Sequence, residues 1–282
     1  MKSVDEIVAI YGARSQATDQ IKSRMRTLRD YYNGDVIVPL PEINSDEKSA
    51  VANLLAQGLD QTAMRIASTR PDIYCPPLDP ARKRSRDNSD IKRKALFGWW
   101  ENSRMDLQMA KRARYLIGYS NTVTQLRWND ATGCPEWHLR DPLTAYPATL
   151  LGVDDMRPRD CIFGYERPLG WLHNNYPDVG RVFQSDSDAG PDTAIELIEY
   201  VSDDETVLIA MRGPVNTGLF ATSTYGSDDN LVVELERVPN RLGQTPVVIA
   251  QRISLDSAQG QFDGILGMYQ MQARLMALEV IA

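Results

Sequence analysis

The chain has 282 residues, of which 43% are hydrophobic, and a formal net charge of −7 with a pI near 5.0. That length supplies one large domain or two ordinary ones, and that apolar content is enough to build a core, which excludes wholesale disorder. The acidic balance excludes a general coat for nucleic acid.

The charge is unevenly spread. Between Ala81 and Arg114 eleven Lys and Arg stand against Asp87, Asp90, Glu101 and Asp106, a net of +7, whereas from Leu150 to Asn240 seventeen acids stand against six Arg, a net of −11. The first zone is helical in pattern and the second β-rich, so the two read as solvated surfaces of opposite bias that can face different partners. The three cysteines, Cys75, Cys134 and Cys161, are far apart and odd in number, which gives neither a disulfide framework nor a zinc knuckle and fits a reducing compartment. Met1 to Glu6 opens no apolar signal segment, and no run of about 18 apolar residues is present, so no membrane span is expected.

In chain order, Ser3-Val4-Asp5-Glu6 has the spacing of a capping box and starts a short helix through Ile7, Val8, Ile10 and Tyr11, which Gly12 can interrupt. A second helix is predicted over Thr18 to Tyr32, with Ile21, Met25, Leu28 and Tyr32 on one face and Asn33-Gly34 as its stop. Val36 to Pro41 reads as an extended connector. Asn44 with Glu47 makes another box-like start, and Asp46 to Ser68 is a helix with an inward stripe of Val51, Leu54, Leu55, Gly58, Leu59, Thr62 and Ile66. Asp72 to Cys75 reads as a short strand. Pro80 sits in the first turn of a basic helix that runs through Arg82 to Lys94 and on to Trp99-Trp100. Leu107 to Tyr119 is a helix with Met109, Ala113, Leu116 and Ile117 inward.

After Asn121 the period changes from helical to alternating. Thr122 to Trp128 and Glu136 to Arg140 flank the turn cluster Asn129 to Gly133 and predict a hairpin. Further strands are expected at Asp160 to Glu166, Ala194 to Val201, Thr206 to Met211, Leu231 to Leu235 and Pro246 to Ile249, with loops at Ser185 to Thr193 and Gly213 to Asn230. Phe262 to Ala282 closes the chain as a helix with apolar residues on nearly every side, which implies burial among other helices. It carries no stop signal, so the sequence is expected to be the front part of a longer one. The fold class is α+β: a helical part at 1–120, a β-rich part at 121–253, and a loop and closing helix at 254–282.

Catalytic signatures are missing. His138 and His173 are the only histidines, and neither a zinc spacing, a G-x-S-x-G elbow, a phosphate-binding P-loop nor a dinucleotide fingerprint occurs. His138, beside Trp137, reads as structural. Asp186-Ser187-Asp188-Ala189-Gly190-Pro191-Asp192 departs from a calcium loop in the place of its glycine and at its twelfth position, Leu197, and reads as an acidic loop tip. Asp154-Asp155, Asp203-Asp204 and Asp228-Asp229 sit in turn-like contexts. Arg82 to Lys94 lacks interleaved aromatics, so it reads as a charged helix face and not as a stacking platform for single strands. The five tryptophans read as core or subunit contacts. No cofactor or metal is expected, and a structural, oligomeric role is expected over an enzyme.

The order of segments carries a resemblance. Leu28-Arg29-Asp30-Tyr31-Tyr32-Asn33-Gly34-Asp35, the long helix with Asn53 and Arg65, Arg140-Asp141-Pro142-Leu143-Thr144-Ala145-Tyr146-Pro147, and Pro239-Asn240-Arg241-Leu242-Gly243-Gln244-Thr245-Pro246-Val247-Val248 follow one another in a characteristic succession. The chain resembles the portal (head-to-tail connector) proteins of tailed double-stranded DNA bacteriophages from about Leu28 to Ala282. The resemblance implies a homo-oligomeric ring, typically a dodecamer, at one capsid vertex of the virion. Double-stranded DNA would pass through it without sequence specificity, and it would contact the major capsid protein, the terminase during packaging and a head-tail adaptor. It implies an outer wing up to about Ile253 and the start of a channel-lining stem helix in Phe262 to Ala282. The family's clip, tunnel loop and crown have no counterpart here. Trp99 and Trp100, with Leu275 and Leu278 of the closing helix, are the residues expected to pack the ring; the channel residues are unknown. Two other readings stay open: a different capsid-associated virion protein, and a metal-dependent DNA-processing enzyme whose nicking would depend on Asp186 or Asp188.

Overall fold

The computed structural model describes residues 1–35, 53–69, 72–129, 131–148, 157–184, 190–212, 231–240, 242–254, 257–258, 260–264, 266–268, 271–272 and 274–275. The chain is α+β, with helices leading and antiparallel strands following. It forms two compact units, each drawn from two separated stretches: Met1–Ile21 with Leu143–Ile249, and Lys22–Pro142 with Ala250–Ala282. The units are therefore interleaved along the chain, whereas the sequence alone divides it into consecutive segments.

The first unit is built on a five-stranded antiparallel sheet in the order β3-β4-β5-β6-β7. Its strands are β3 (Ala145–Pro147), β4 (Asp160–Pro168), β5 (Ala194–Ser202), β6 (Glu205–Arg212) and β7 (Leu231–Pro239). Both faces are covered. On one, Ile7 and Val8 from the first turns of α1 (Val4–Asn33) pack on Tyr146, Ile162, Ile198, Tyr200, Val207 and Ile209. On the other, Leu169, Leu172 and Phe183 pack on Ile195, Leu197 and Ala210. Those three come from α5 (Leu169–Asn175) and α6 (Pro177–Gln184). Two-sided burial explains why β5 alternates poorly in sequence: from Leu197 onward every residue is buried, odd positions against one layer and even positions against the other. A bulge between β6 and β7 near Leu208 and Ile209 turns Glu234 and Glu236 to opposite sides of the sheet.

The amino-terminal turns of α1 are tied to this sheet by charge. The capping box is present, with Ser3 N donating to Glu6 Oε2 at 2.9 Å and Glu6 N to Ser3 Oγ at 3.2 Å. Arg14 reaches the buried Asp160 at 2.6 Å and donates to Tyr146 O, and Lys2 donates to Tyr200 Oη at 2.9 Å. Tyr11 Oη donates to Glu196 Oε1 at 2.5 Å. Burial pushes the Glu196 carboxyl up from its ordinary 4.5; the Tyr11 bond opposes that, and Glu166, directly opposite on β4, adds to it. The folded carboxyl thus keeps its proton to a higher pH than the unfolded one. Its contribution to stability is greatest below the unfolded pKa and is lost as the pH rises through the folded one. Glu196→Gln is expected to raise the urea midpoint at pH 7 and to flatten its decline above about pH 4.5; an unchanged pH profile would count against a raised Glu196.

The second unit has a helical core. Leu28 and Tyr31 of α1, Leu55, Leu59 and Ala63 of α2 (Leu54–Ala67), Ala113 and Ile117 of α4 (Met105–Gly118), and Phe262 make one cluster. The hairpin of β1 (Asn121–Asn129) and β2 (Cys134–Arg140) belongs to it, in the register Val123 opposite Arg140 through Asn129 opposite Cys134. Between α3 (Lys83–Asn102) and α4, Arg104 takes the left-handed conformation at φ 50°. The strand β8 (Val247–Gln251) carries the chain from the first unit into the second, and the short pair β9 (Ile253–Ser254) and β10 (Ser257–Ala258) follows. Asn53 caps α2: its Oδ1 accepts from Ala56 N at 2.9 Å while its Nδ2 donates to Tyr31 O and Tyr32 O. Asn53→Ala removes the cap and both bonds to the end of α1, and is expected to cost about 1–2 kcal/mol in chemical denaturation.

The structure departs from the sequence reading at several places. The two leading helices are one, because Gly12 is carried inside α1 by packing at both ends, against a propensity cost of about 1 kcal/mol. The inward face of its second half is shifted: Ile21 is exposed, and Lys22 is buried instead, donating from Nζ to Pro142 O at 2.5 Å. In α2 the inward stripe is Leu55, Leu59 and Ala63, and Thr62 and Ile66 face solvent. Asp72 to Cys75 forms no strand; Cys75 O accepts from Ser89 Oγ. Pro80 lies in a turn ahead of α3, and in α4 Met105 and Gly118 are buried while Met109 and Leu116 are only half-buried. Helices α5 and α6 have no strong signal in the sequence; seven and eight residues are too few to hold a helix alone, and the sheet holds them. Val36 to Pro41, the Asn44–Glu47 start, Val51, the Gly213 to Asn230 loop and most of Ser185 to Thr193 lie outside the described residues.

Candidate functional site

Helix α3 presents the strongest surface feature. It has good helix formers, no proline inside and no side-chain cap at Arg82. Not one of its twenty residues is buried. Seven cations from Arg82 to Lys94 stand against Asp87 and Asp90. Ile91 is 64% exposed among them, on one helical stripe with Arg84 seven residues before it, Asp87 four before and Lys94 three after. An amphipathic helix normally hides an apolar stripe; here the charged turns leave the apolar residue bare.

The carboxy-terminal end of α3 is anchored within the second unit. Trp99 packs edge-on against Trp137 with centroids 4.9 Å apart and donates from Nε1 to Pro135 O, while Trp100 Nε1 donates to Asp106 Oδ1 at 2.8 Å. Arg112 lies over the other ring of that pair, 5.3 Å from the Trp137 centroid, and donates to Thr124 Oγ1 at 2.9 Å. Burial pulls the Arg112 guanidinium below its ordinary value. Trp137 Nε1 is buried and finds no hydrogen-bond partner among the described residues. The structure therefore places Trp99 and Trp100 in contacts inside the subunit.

At the other end of the chain, Phe262 inserts into the helical core and Leu266 packs beside it. The helical residues 266–268, 271–272 and 274–275 follow. Met268, Met271 and Leu275 are 71%, 65% and 55% exposed. They are spaced i, i+3 and i+7, so they make one bare apolar stripe. Leu278 lies outside the described residues. The sequence gives an apolar residue on nearly every side of this segment; the two methionines stand out only once Phe262 and Leu266 define the inward side.

A third surface is acidic. β7 is an edge strand, and its bulge puts Glu236 and Val238 on the side of α5 and α6, where Glu236 accepts from Tyr176 Oη at 3.2 Å. The turn Ser202-Asp203-Asp204-Glu205 lies beside the end of this strand, with Asn240 N donating to Asp204 O at 2.7 Å. Glu236, Val238, Asp203 and Asp204 are all exposed. The sequence signal was available in the Glu-Leu-Glu run of β7, although the bulge that separates Glu234 from Glu236 was not.

Among the described residues, those with catalytic potential do not converge. His138 sits in the hairpin with Nε2 3.5 Å from Glu136 Oε2, and His173 packs on Gly180, where an added Cβ would come within 2.7 Å of its Nδ1. The three cysteines are free thiols. Among the described residues no three His, Cys, Asp or Glu are grouped to hold a metal ion, and no helix is long and apolar enough to cross a membrane. Asp186 and Asp188 lie outside the described residues, as do Asp154-Asp155 and Asp228-Asp229. No protein-family model matches the chain, and no curated protein matches it.

Proposed function

We propose that the chain is a structural subunit of a closed ring, and that the ring is the portal of a tailed double-stranded DNA bacteriophage, set at the head-tail junction of the virion. The observation that carries this reading is the bare stripe of Met268, Met271 and Leu275. An apolar helical face of this kind costs free energy in water, at about 25 cal/mol per Å², until another surface covers it. A ring supplies that cover from a neighbouring copy through a heterologous contact whose rotation closes. The succession of segments that resembles portal proteins supports the specific assignment. The net charge of −7 supports it too: each phosphate contact by a cation adds affinity through counterion release, so an acidic conduit lets DNA slide. In this role the protein binds no cofactor and performs no chemistry of its own. The terminase, the head-tail adaptor and the major capsid protein are its partners.

Electron microscopy of the purified chain, viewed face-on, tests the reading. Closed rings with a central hole wide enough for duplex DNA are the expected result, and they give the subunit number directly. Leu275→Asp, alone or with Leu278→Asp, is expected to abolish the rings while leaving the circular dichroism of the subunit unchanged, because a carboxylate cannot be buried unpaired at the contact. Shells or fibres in place of rings would favour a different virion component, and rings that survive Leu275→Asp would remove the stripe from the interface.

A further inference from the structure

We infer that α3 docks on the acidic end of β7 in a second copy of this chain, so that neighbouring subunits are held by a cationic helix laid against a carboxylate-rich sheet edge. The inference rests on the reading of the chain as a self-assembling subunit and names surfaces for it. On one side stand Arg84 and Lys94, flanking the exposed Ile91. On the other stand Glu236, Asp203 and Asp204, around Val238, which is also exposed. Each surface therefore has an exposed apolar residue among charges that are mostly of one sign, with Asp87 and Asp90 the exceptions on α3 and Arg237 on β7, and the prevailing signs are opposite.

In sequence the stretches that carry the two surfaces are also of opposite net charge, +7 over Ala81 to Arg114 against −11 over Leu150 to Asn240, although Asp160, Glu199 and Glu205 of the second are buried. Two surfaces of one chain that attract each other, and lie on different units, make a head-to-tail contact between copies, the type that closes into rings. A nucleic acid is a poorer occupant for α3. The chain as a whole is acidic, and Ile91 has no apolar counterpart in a phosphate backbone. The edge itself is unsuited to pairing with another strand, because β7 carries charge and ends at Pro239. The carboxylates on it are left to meet cations.

Sedimentation velocity of the full chain at about 0.1 M and about 1 M salt, where charges are screened over about 10 Å and about 3 Å respectively, reads the interaction. Association is expected to weaken on going to the higher salt. Arg84→Glu with Lys94→Glu is expected to weaken it by about tenfold or more, through like charges set opposite one another, and Asp204→Lys with Glu236→Lys to do the same. The chain carrying all four changes is expected to recover, since every contact then pairs reversed charges; a merely destabilising substitution would not be rescued in this way. Wild-type assemblies indifferent to salt and to Arg84→Glu with Lys94→Glu would overturn the inference and leave the ring reading intact. A wild-type chain that is monomeric in sedimentation and in micrographs would overturn both. Binding of duplex DNA that the α3 changes abolish, with no change in self-association, would give α3 to nucleic acid and overturn the inference as well.

Discussion

Asp160→Ala is expected to destabilise the sheet-bearing unit by about 3–5 kcal/mol, the cost of leaving a buried cation without its partner. Asp160 is only 4% exposed, and it receives Arg14 at 2.6 Å and Lys2 at 3.6 Å. Arg14 is itself largely shielded and has one further bond, to Tyr146 O. Once the carboxylate is gone, the guanidinium must either stay buried and unpaired or swing out, which pulls α1 from Ile162, Ile198 and Tyr200. Urea unfolding gives the magnitude, and hydrogen exchange at the β4 and β5 amides gives the location. A double variant, Asp160→Ala with Arg14→Met, is expected to regain much of the loss because no charge is left uncompensated. A loss below about 1 kcal/mol for the single change would place Arg14 and Asp160 among ordinary surface pairs.

Gly260→Ala is expected to cost about 3 kcal/mol in the helical unit, the upper part of the range for forcing extra volume into a packed site. A Cβ at Gly260 would lie 2.2 Å from Gly118 O, a backbone atom that cannot step aside. The close approach is fixed from several directions. Gln261 N donates to Ile117 O at 2.8 Å, Gly260 N donates to Asp263 Oδ2 at 2.8 Å, and Arg24 pairs with that same carboxylate at 3.3 Å. Relieving the clash breaks these bonds and lifts Phe262 out of its place among Leu28, Leu59 and Ile117. Gly264→Ala is the control: nothing lies within 4 Å of its added Cβ, and an effect within about 0.5 kcal/mol is expected. Equal behaviour of the two variants in chemical denaturation would mean that the approach of Gly260 to Gly118 does not constrain the chain. Since Phe262 anchors the chain six residues before Met268, Gly260→Ala is also expected to impair ring formation.

Local signals in the sequence were sound wherever the deciding groups are close in the chain. The Ser3–Glu6 box, the Asn33-Gly34 stop and the hairpin around Asn129 to Gly133 all formed, as did the strands expected from Asp160, Ala194, Thr206, Leu231 and Pro246, the last beginning one residue later, at Val247. Errors occurred where distant residues overrule propensity. Gly12 stays helical because of what both halves of α1 pack against. Lys22 takes an inward place meant for Ile21 because Pro142 O lies within its reach. The helices α5 and α6 exist because a sheet face needed covering.

The candidate surfaces divide along the same line. A basic helix, an acidic strand and an apolar closing segment can all be read from residue order, since composition and period are properties of neighbours in the chain. Which of their faces stays bare cannot. Burial is settled by residues from other elements, some of them more than a hundred positions away: Ile7 covers Ile198 on one side of the sheet, and Phe183, from a separate helix, covers Leu197 on the other. The interleaving of the two units has the same origin: hydrophobic burial rewards contact in space and is indifferent to order along the chain.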